Sequence, residues 1–398
     1  MSLSSSGRER LEALVQHNLG NVFPACALTV IKNGETILDA GWGTVEGSQA
    51  TRDTLYDLAS VTKLFTVTAF LSFVSAGRVG LDDPLVKIIP EFGALAPRLM
   101  DGGQDPHSKT RLATPPELAG KSVDPATVTF RQLLTHTSGL PAWRDVYNAA
   151  GPAPTPPDQP DPVSRADRWA KGLHAIYSYP FVAWPGERVI YSDIGLILIG
   201  ESTIRLGGAP LDEVIRQRVL APLHLTKPCF NPIREGHIAR EQIAPTEDDP
   251  LWRKRRVWGE VHDENTCGLG GVSGHAGLFA TAHDVAQFGQ AWLTQPEQAF
   301  GINTALAQEA KREQAETDGA RRGLGFVVKA LQESSAGDLF SVNTYGHTGF
   351  TGTSIWIDPD NQLVVACLTN SVYPGRGKPG TQEFRRAVHD LLAQELNH

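Results

Sequence analysis

Ser60 and Lys63 form the single S-x-x-K of the chain, Ser60-Val61-Thr62-Lys63. Positions i and i+3 share a face of a helix, so the Lys63 amine can lie beside the Ser60 hydroxyl. A serine hydroxyl is a poor nucleophile at neutral pH and needs a neighbouring base. A lysine can serve when its surroundings lower its pKa toward the working pH. Chance alone gives about one such match in a chain of this length, so the pattern needs support. Tyr191-Ser192-Asp193 is a second candidate. Its phenolic hydroxyl could relay a proton near cations, though the trio also reads as a capped helix start with Asp193 as the N-cap. A third is Gly346-His347-Thr348-Gly349, followed by Phe350. Small residues there let a substrate approach the backbone, whose N–H groups can form half of an oxyanion hole; a glycine-rich turn between strands fits the same letters.

The elements that would carry these residues are readable in outline. An amphipathic helix is expected over 8–18, with Leu11, Leu14 and Val15 on one face. A hairpin follows: 27–31, a turn at Asn33-Gly34, then 36–42. From Ser60 to about Ala76 apolar residues recur on most sides of a helix that Gly77 ends, which places it in the middle of the protein. Thr129 caps a short helix over 130–134, and the Tyr191 loop enters an apolar helix over 194–204, with an amphipathic one over 211–220. Strands are expected at 324–328, 353–357 and 363–368, and a closing helix at 383–395. Strands at both ends with helices between predict an α+β fold: an antiparallel sheet built from both termini, flanked by helices. We expect one domain over 1–398, with 1–85 and 265–398 forming the sheet part and 86–264 an inserted, mainly helical part with loops. Weak periodicity over 92–124 reads as an insertion, and 151–162, half proline, as a surface excursion rather than a lid.

Composition narrows the function classes. The 398 residues are 41% hydrophobic, enough for a large core, and carry 36 Lys and Arg against 44 Asp and Glu. That balance offers no field for a phosphate backbone, so no nucleic-acid partner is expected. The run Arg253-Lys254-Arg255-Arg256 is expected to be a solvated edge. Cys26, Cys229, Cys267 and Cys367 lack paired spacing and read as buried free thiols. No apolar stretch is long enough to span a membrane. The polar start, Met1 to Ser6, suggests a cytoplasmic protein, or an exported one whose leader was removed. The twelve histidines include no H-E-x-x-H, and His262 with Asp263 is not a sufficient ligand set, so no metal or cofactor is expected. G-x-S-x-G is absent as well, because Gly271-Val272-Ser273-Gly274 runs into His275.

Taken together and in this order, nucleophile helix, tyrosine loop and H-T-G strand resemble the serine β-lactamase and penicillin-binding-protein superfamily. The likeness is to its class C and low-molecular-mass peptidase branch, with the esterases on the same fold. Leu133-Leu134-Thr135-His136-Thr137-Ser138-Gly139-Leu140 looks like the family's helix-end signature. The stretches 261–265 and 269–279 are similar to a narrower penicillin-binding-protein 4B-like and esterase subgroup. The resemblance implies a serine hydrolase working through an acyl-enzyme on an ester, small amide or short peptide. It makes Ser60 the acylated nucleophile, Lys63 its partner base and Tyr191 the proton shuttle. The backbone N–H groups of Ser60 and Phe350 become the oxyanion hole, and His347, Thr348 and Gly349 the substrate-binding strand.

Two departures from the family pattern shape the expectation. Asp193 stands where the second motif often has Asn, and a carboxylate facing Lys63 would keep it an ammonium, shifting the proton-accepting role to Tyr191. His347 stands where the third motif usually has Lys, and a histidine is mostly neutral at pH 7. Carboxylated substrates should then bind more weakly, favouring ester chemistry over a D-alanyl-D-alanine carboxypeptidase or weak β-lactamase. A non-catalytic ligand sensor on the same fold is the alternative of another class, and the oligomeric state stays open.

Overall fold

A computed structural model of the chain describes residues 3–396. Its centre is a nine-stranded antiparallel sheet. In chain order the strands are β1 (Ala25–Lys32), β2 (Glu35–Val45), β3 (Ser48–Gln49), β4 (Ala315–Thr317), β5 (Ala320–Arg322), β6 (Val327–Val328), β7 (Tyr345–Thr348), β8 (Ser354–Asp358) and β9 (Leu363–Thr369). Across the sheet they run β4-β5-β6-β7-β8-β9-β1-β2-β3. The N-terminal hairpin therefore docks on the last strand of the C-terminal meander, as an α+β fold with a sheet from both termini requires. The β1–β2 turn uses Asn33 and Gly34 at φ 53° and 82°, the left-handed pair that matches strand twist.

β1 is buried along its whole length because both sheet faces are covered. Cys26, Leu28 and Val30 face one layer, formed by α1 (Ser5–Asn18) and the C-terminal helix Thr381–Leu396. Ala25 and Ala27 face the other, where the helix Ala282–Thr294 packs through Val285, Phe288 and Trp292. Behind it lies α2 (Thr62–Ser75), whose residues 62–73 are all buried. Within it Thr68 donates to Leu64 O and accepts the Trp292 indole N–H, whereas the buried Thr66 hydroxyl has no partner among the described residues. The helix Asp193–Gly207 packs against α2, and Gly274 lies against it so closely that a Cβ there would sit 2.1 Å from Leu196 O.

Two expectations need correction, and one hairpin adds to them. Only Val327 and Val328 of 324–328 join the sheet, because Gly323 N–H closes a turn onto Phe326 O and Gly325 takes φ 78°. The hairpin β4–β5 escaped notice, although Asp318-Gly319 at its tip is a turn signal of the same kind as Asn33-Gly34. The run 253–256 is not a solvated edge. Arg253 is buried and donates to His262 O, Arg255 pairs with Glu260, and Arg256 donates to Thr246 O and Tyr373 O, leaving Lys254 exposed.

The proline-rich stretch 151–162 is fixed in place. Arg234 and Arg255 donate to carbonyls of Pro154, Thr155, Pro156 and Gln159, and Arg168 pairs with Asp161. Cys26, Cys267 and Cys367 are buried free thiols as expected, while Cys229 is half-buried. Among the described residues no single helix is long and apolar enough to cross a membrane.

The contact of Gly274 with the helix Asp193–Gly207 yields a stability test. Gly274→Ala should lower the unfolding free energy by about 1–3 kcal/mol, as overpacking of a tight interior does. Urea denaturation measures it, and an unchanged midpoint would mean that this contact is loose.

Candidate active site

Ser60 sits in a 3₁₀ turn, Ala59–Val61, that leads into α2. In a 3₁₀ turn side chains three apart eclipse, which brings Lys63 onto Ser60 more closely than an α-helix would. Lys63 Nζ lies 2.8 Å from Ser60 Oγ, 3.1 Å from His275 O and 2.8 Å from Asp193 Oδ1. The ammonium thus donates to one oxygen of its own turn and one of a distant loop, and pairs with a carboxylate from a third segment. The lysine side chain is 1% exposed. Burial alone would lower its pKa, but the Asp193 carboxylate and the Tyr191 hydroxyl outweigh that, and the net direction is upward. Asp193 therefore holds Lys63 as an ammonium, as its place in the second motif implied.

The turn itself is strained and clamped. Ala59 takes φ 46°, an unfavourable conformation for a residue with a side chain. Asp57 secures it, one carboxylate oxygen accepting Ala59 N–H at 2.9 Å and the other His262 N–H at 2.6 Å. Burial raises the Asp57 pKa. Nothing in the sequence marked Asp57 out, since an aspartate before an apolar helix reads as a cap. The loop after β7 is stapled to the same turn: Thr351 Oγ1 donates to Asp57 O at 2.7 Å and Thr353 Oγ1 to Leu58 O at 2.9 Å. Gly349 passes so near that a Cβ there would meet Leu58 O at 2.4 Å, so the third motif needs glycine at this position. Neither the Ser60 nor the Phe350 backbone N–H donates to another group among the described residues.

The segment 133–142 positions the Tyr191 loop. His136 O accepts Ile190 N–H at 2.8 Å and its Nδ1 accepts Ser192 N–H at 3.0 Å, while Ser192 Oγ donates to Pro141 O and Asp193 N–H to Ala142 O. Ser192, rather than Asp193, is the N-cap, accepting Gly195 N–H. That frees the Asp193 carboxylate for Lys63. The Tyr191 ring lies 4.7 Å from His136 and 6.0 Å from His347, with Lys63 Nζ at 4.9 Å and the Arg322 guanidinium at 5.2 Å. His347 is buried, and its pKa falls well below the ordinary value through burial and then through Lys63 and Arg322. His136 falls likewise. Both rings are neutral, which agrees with the expectation that His347 supplies no permanent charge.

The stretches 261–265 and 269–279 brace the same centre. His275 offers its carbonyl to Lys63, while its ring contacts Asp263 at 2.8 Å and Ser273 at 2.9 Å. His262 stacks on Phe350 at 5.7 Å and meets Glu247 at 3.0 Å, so it buttresses the edge of the site. Arg376 joins Glu247 and Glu264 there. The cleft over Ser60 has two arms, one of about 730 Å³ that includes Arg322, His347 and Thr348, and one of about 250 Å³ that includes Trp143, His107 and Asp193. Ser60, Tyr191 and Phe350 line both. The insertion 92–124 reaches the smaller arm through Pro106 and His107, whereas no residue of 151–162 lines either arm.

An antiparallel sheet covered by helices, with a serine and a buried lysine one turn apart facing a tyrosine loop and an H-T-G strand, defines a serine hydrolase of the penicillin-binding type. The chain belongs to the Beta-lactamase family, whose model matches residues 11–389. A protein of Escherichia coli strain K12 named "Putative D-alanyl-D-alanine carboxypeptidase" is 32% identical over 376 residues, covering 87% of this chain and 78% of its own. A Salmonella typhi protein of the same name is 30% identical over 403 residues, covering 93% and 84%. Among solved structures, EstCE1, "a hydrolase with promiscuous acyltransferase activity", superposes with a TM-score of 0.69 at 20% identity, covering 98% of each chain. Simvastatin synthase (LovD) from Aspergillus terreus gives 0.71 at 18% identity, again covering 98% of each. The resemblance drawn from the motifs thus extends over nearly the whole chain.

Glu247 provides a pH test of the bracing network. Burial pushes its pKa up, but hydrogen bonds and charge from His262 and Arg376 bring it down to about 2 from 4.5. A depressed carboxylate adds stability above its unfolded pKa and loses it as pH falls through the folded one. The stability gap between wild type and Glu247→Gln, followed by chemical denaturation, should therefore close as pH drops from 4.5 to about 2. A gap independent of pH over that range would contradict the assignment.

Proposed function

We propose that the chain hydrolyses esters and small amides through an acyl-enzyme on Ser60. The observation that carries this reading is the Lys63 ammonium, which donates to Ser60 Oγ and His275 O and pairs with Asp193 Oδ1. A buried ammonium that donates to Ser60 Oγ orients that oxygen's lone pair and stabilises the charge it develops, but being protonated it cannot take the serine proton. That proton passes to the Tyr191 oxygen, which enters the step as a phenolate and leaves it as the phenol. The neighbouring Lys63 and Arg322 cations stabilise the negative charge there. Ser60 Oγ bonds to the acyl carbon, and the tetrahedral oxyanion rests on the free N–H groups of Ser60 and Phe350. As the bond to the leaving oxygen or nitrogen breaks, Tyr191 returns the proton to it. Water then repeats the sequence: Tyr191 takes its proton, the hydroxyl attacks the acyl carbon, and Ser60 Oγ leaves with the proton.

His347, Thr348 and Gly349 form the strand edge along which the acyl group lies. The neutral His347 ring favours ester substrates. The names of the 30–32% identical relatives support a second reading, carboxypeptidase action on a D-alanyl-D-alanine tail.

Incubation with an activated ester such as p-nitrophenyl acetate should add one acyl mass to a peptide containing Ser60, and Ser60→Ala should lose both adduct and turnover. Tyr191→Phe should keep the fold and lower kcat by about 100- to 10,000-fold, as loss of a positioned proton carrier does. An adduct elsewhere, or Ser60→Ala turning over at the wild-type rate, would refute the reading. Faster hydrolysis of a D-Ala-D-Ala peptide than of p-nitrophenyl acetate would favour the carboxypeptidase.

A further inference from the structure

The peptide group that joins Gly349 to Phe350 carries the Phe350 N–H on one edge and the Gly349 carbonyl on the other, pointing opposite ways. Gly349 O accepts Arg385 Nη2 at 3.1 Å and Gly352 N–H at 3.1 Å. The same Nη2 donates to Thr353 O at 2.7 Å, and Thr353 O also accepts Gly349 N–H at 2.7 Å. One guanidinium nitrogen therefore closes the loop 349–353 across its base.

Arg385 belongs to the helix Thr381–Leu396 and is buried. It forms no ion pair among the described residues, and its buried Nε has no acceptor. The group of opposite sign that acts on it is the buried thiol of Cys367, not a carboxylate. His389, one turn further on, is neutral because burial above all pushes its pKa down to about 4. Burial lowers Arg385 itself only to about 10, so it is a cation at neutral pH. A buried guanidinium without a carboxylate is costly to keep, and here two loop carbonyls compensate it. A cation that donates to a carbonyl draws electron density along the amide. The N–H of the same peptide becomes more positive, as bonds in a chain polarise one another.

We propose that Arg385 is a positioning residue of the oxyanion hole. It fixes the Gly349–Phe350 peptide and polarises it, so that the Phe350 N–H is both aimed and strengthened toward the charge that forms beside Ser60. This deepens the acyl-enzyme reading and rests on it. The developing oxyanion is linked to a full positive charge through one peptide unit, while the cation itself stays off the reacting atoms.

Arg385 also shows an edge to the larger arm, so the test uses p-nitrophenyl acetate, an uncharged ester that offers it no anion. Acylation and deacylation both pass through the oxyanion, so Arg385→Met should lower kcat and leave KM within about twofold. The expected loss is about 10- to 100-fold, below that of deleting an oxyanion donor outright. Affinity for ethylboronic acid, a tetrahedral mimic, should fall by a similar factor. Arg385→Lys, which keeps the charge, should recover part of both. Wild-type kcat in Arg385→Met, or a lowered kcat with boronate affinity intact, overturns the inference. If Arg385→Met does not fold, Arg385→Lys is compared with the uncharged Arg385→Gln. A kcat about tenfold higher in the lysine variant supports the proposal, and equal values overturn it. Absence of any Ser60 adduct in the wild type instead refutes the acyl-enzyme reading beneath it.

Discussion

A charged amine enclosed by protein is the constraint around which the site is organised. Removing an ammonium from water costs several kcal/mol unless opposite charge and hydrogen-bond acceptors replace the solvent. Lys63 obtains them from Ser60 in its own turn, Asp193 at the head of another helix, and the His275 carbonyl in a loop near the C-terminal strands. Those three groups must arrive together for the lysine to be tolerated. The helix of Lys63 is accordingly buried throughout, and the segments that bring its partners are tied in by their own bonds, His136 to the tyrosine loop and Asp263 to His275.

Charge at Lys63 in turn sets the state of its neighbours. Burial first, and then Lys63 with Arg322, holds His136 and His347 neutral, so the centre carries positive charge only on groups that keep it over the whole working range of pH. Asp193 pairs with the lysine, and the Tyr191 ring lies between the lysine and the Arg322 guanidinium.

Much of this was legible in the residues. Asn33-Gly34 fixed the first hairpin, Thr129 and Gln132 formed a capping box, and the apolar run after Ser60 became a buried helix. Ser60, Lys63, Tyr191, Asp193, His347 and Phe350 were singled out, and all line or reach one cleft except Lys63, which lies directly beneath it. Arg322 was not legible, because its approach to the Tyr191 ring is a property of three-dimensional neighbours. Asp57 was hidden because its carboxylate accepts from two backbone N–H groups, which leave no residue-type signature. The basic run 253–256 misled because charge in sequence reads as surface, whereas here carbonyls and Glu260 draw the arginines inward.

The most direct measurement of the central claim is a crystal structure of the protein with a small alkyl boronic acid, which imitates the tetrahedral species of acyl transfer. The account predicts boron bonded to Ser60 Oγ, one boronate oxygen within hydrogen-bond reach of both the Ser60 and Phe350 N–H groups, and Lys63 still held by Asp193 and the His275 carbonyl. Boron on another residue, or an oxygen facing away from those two N–H groups, would contradict it.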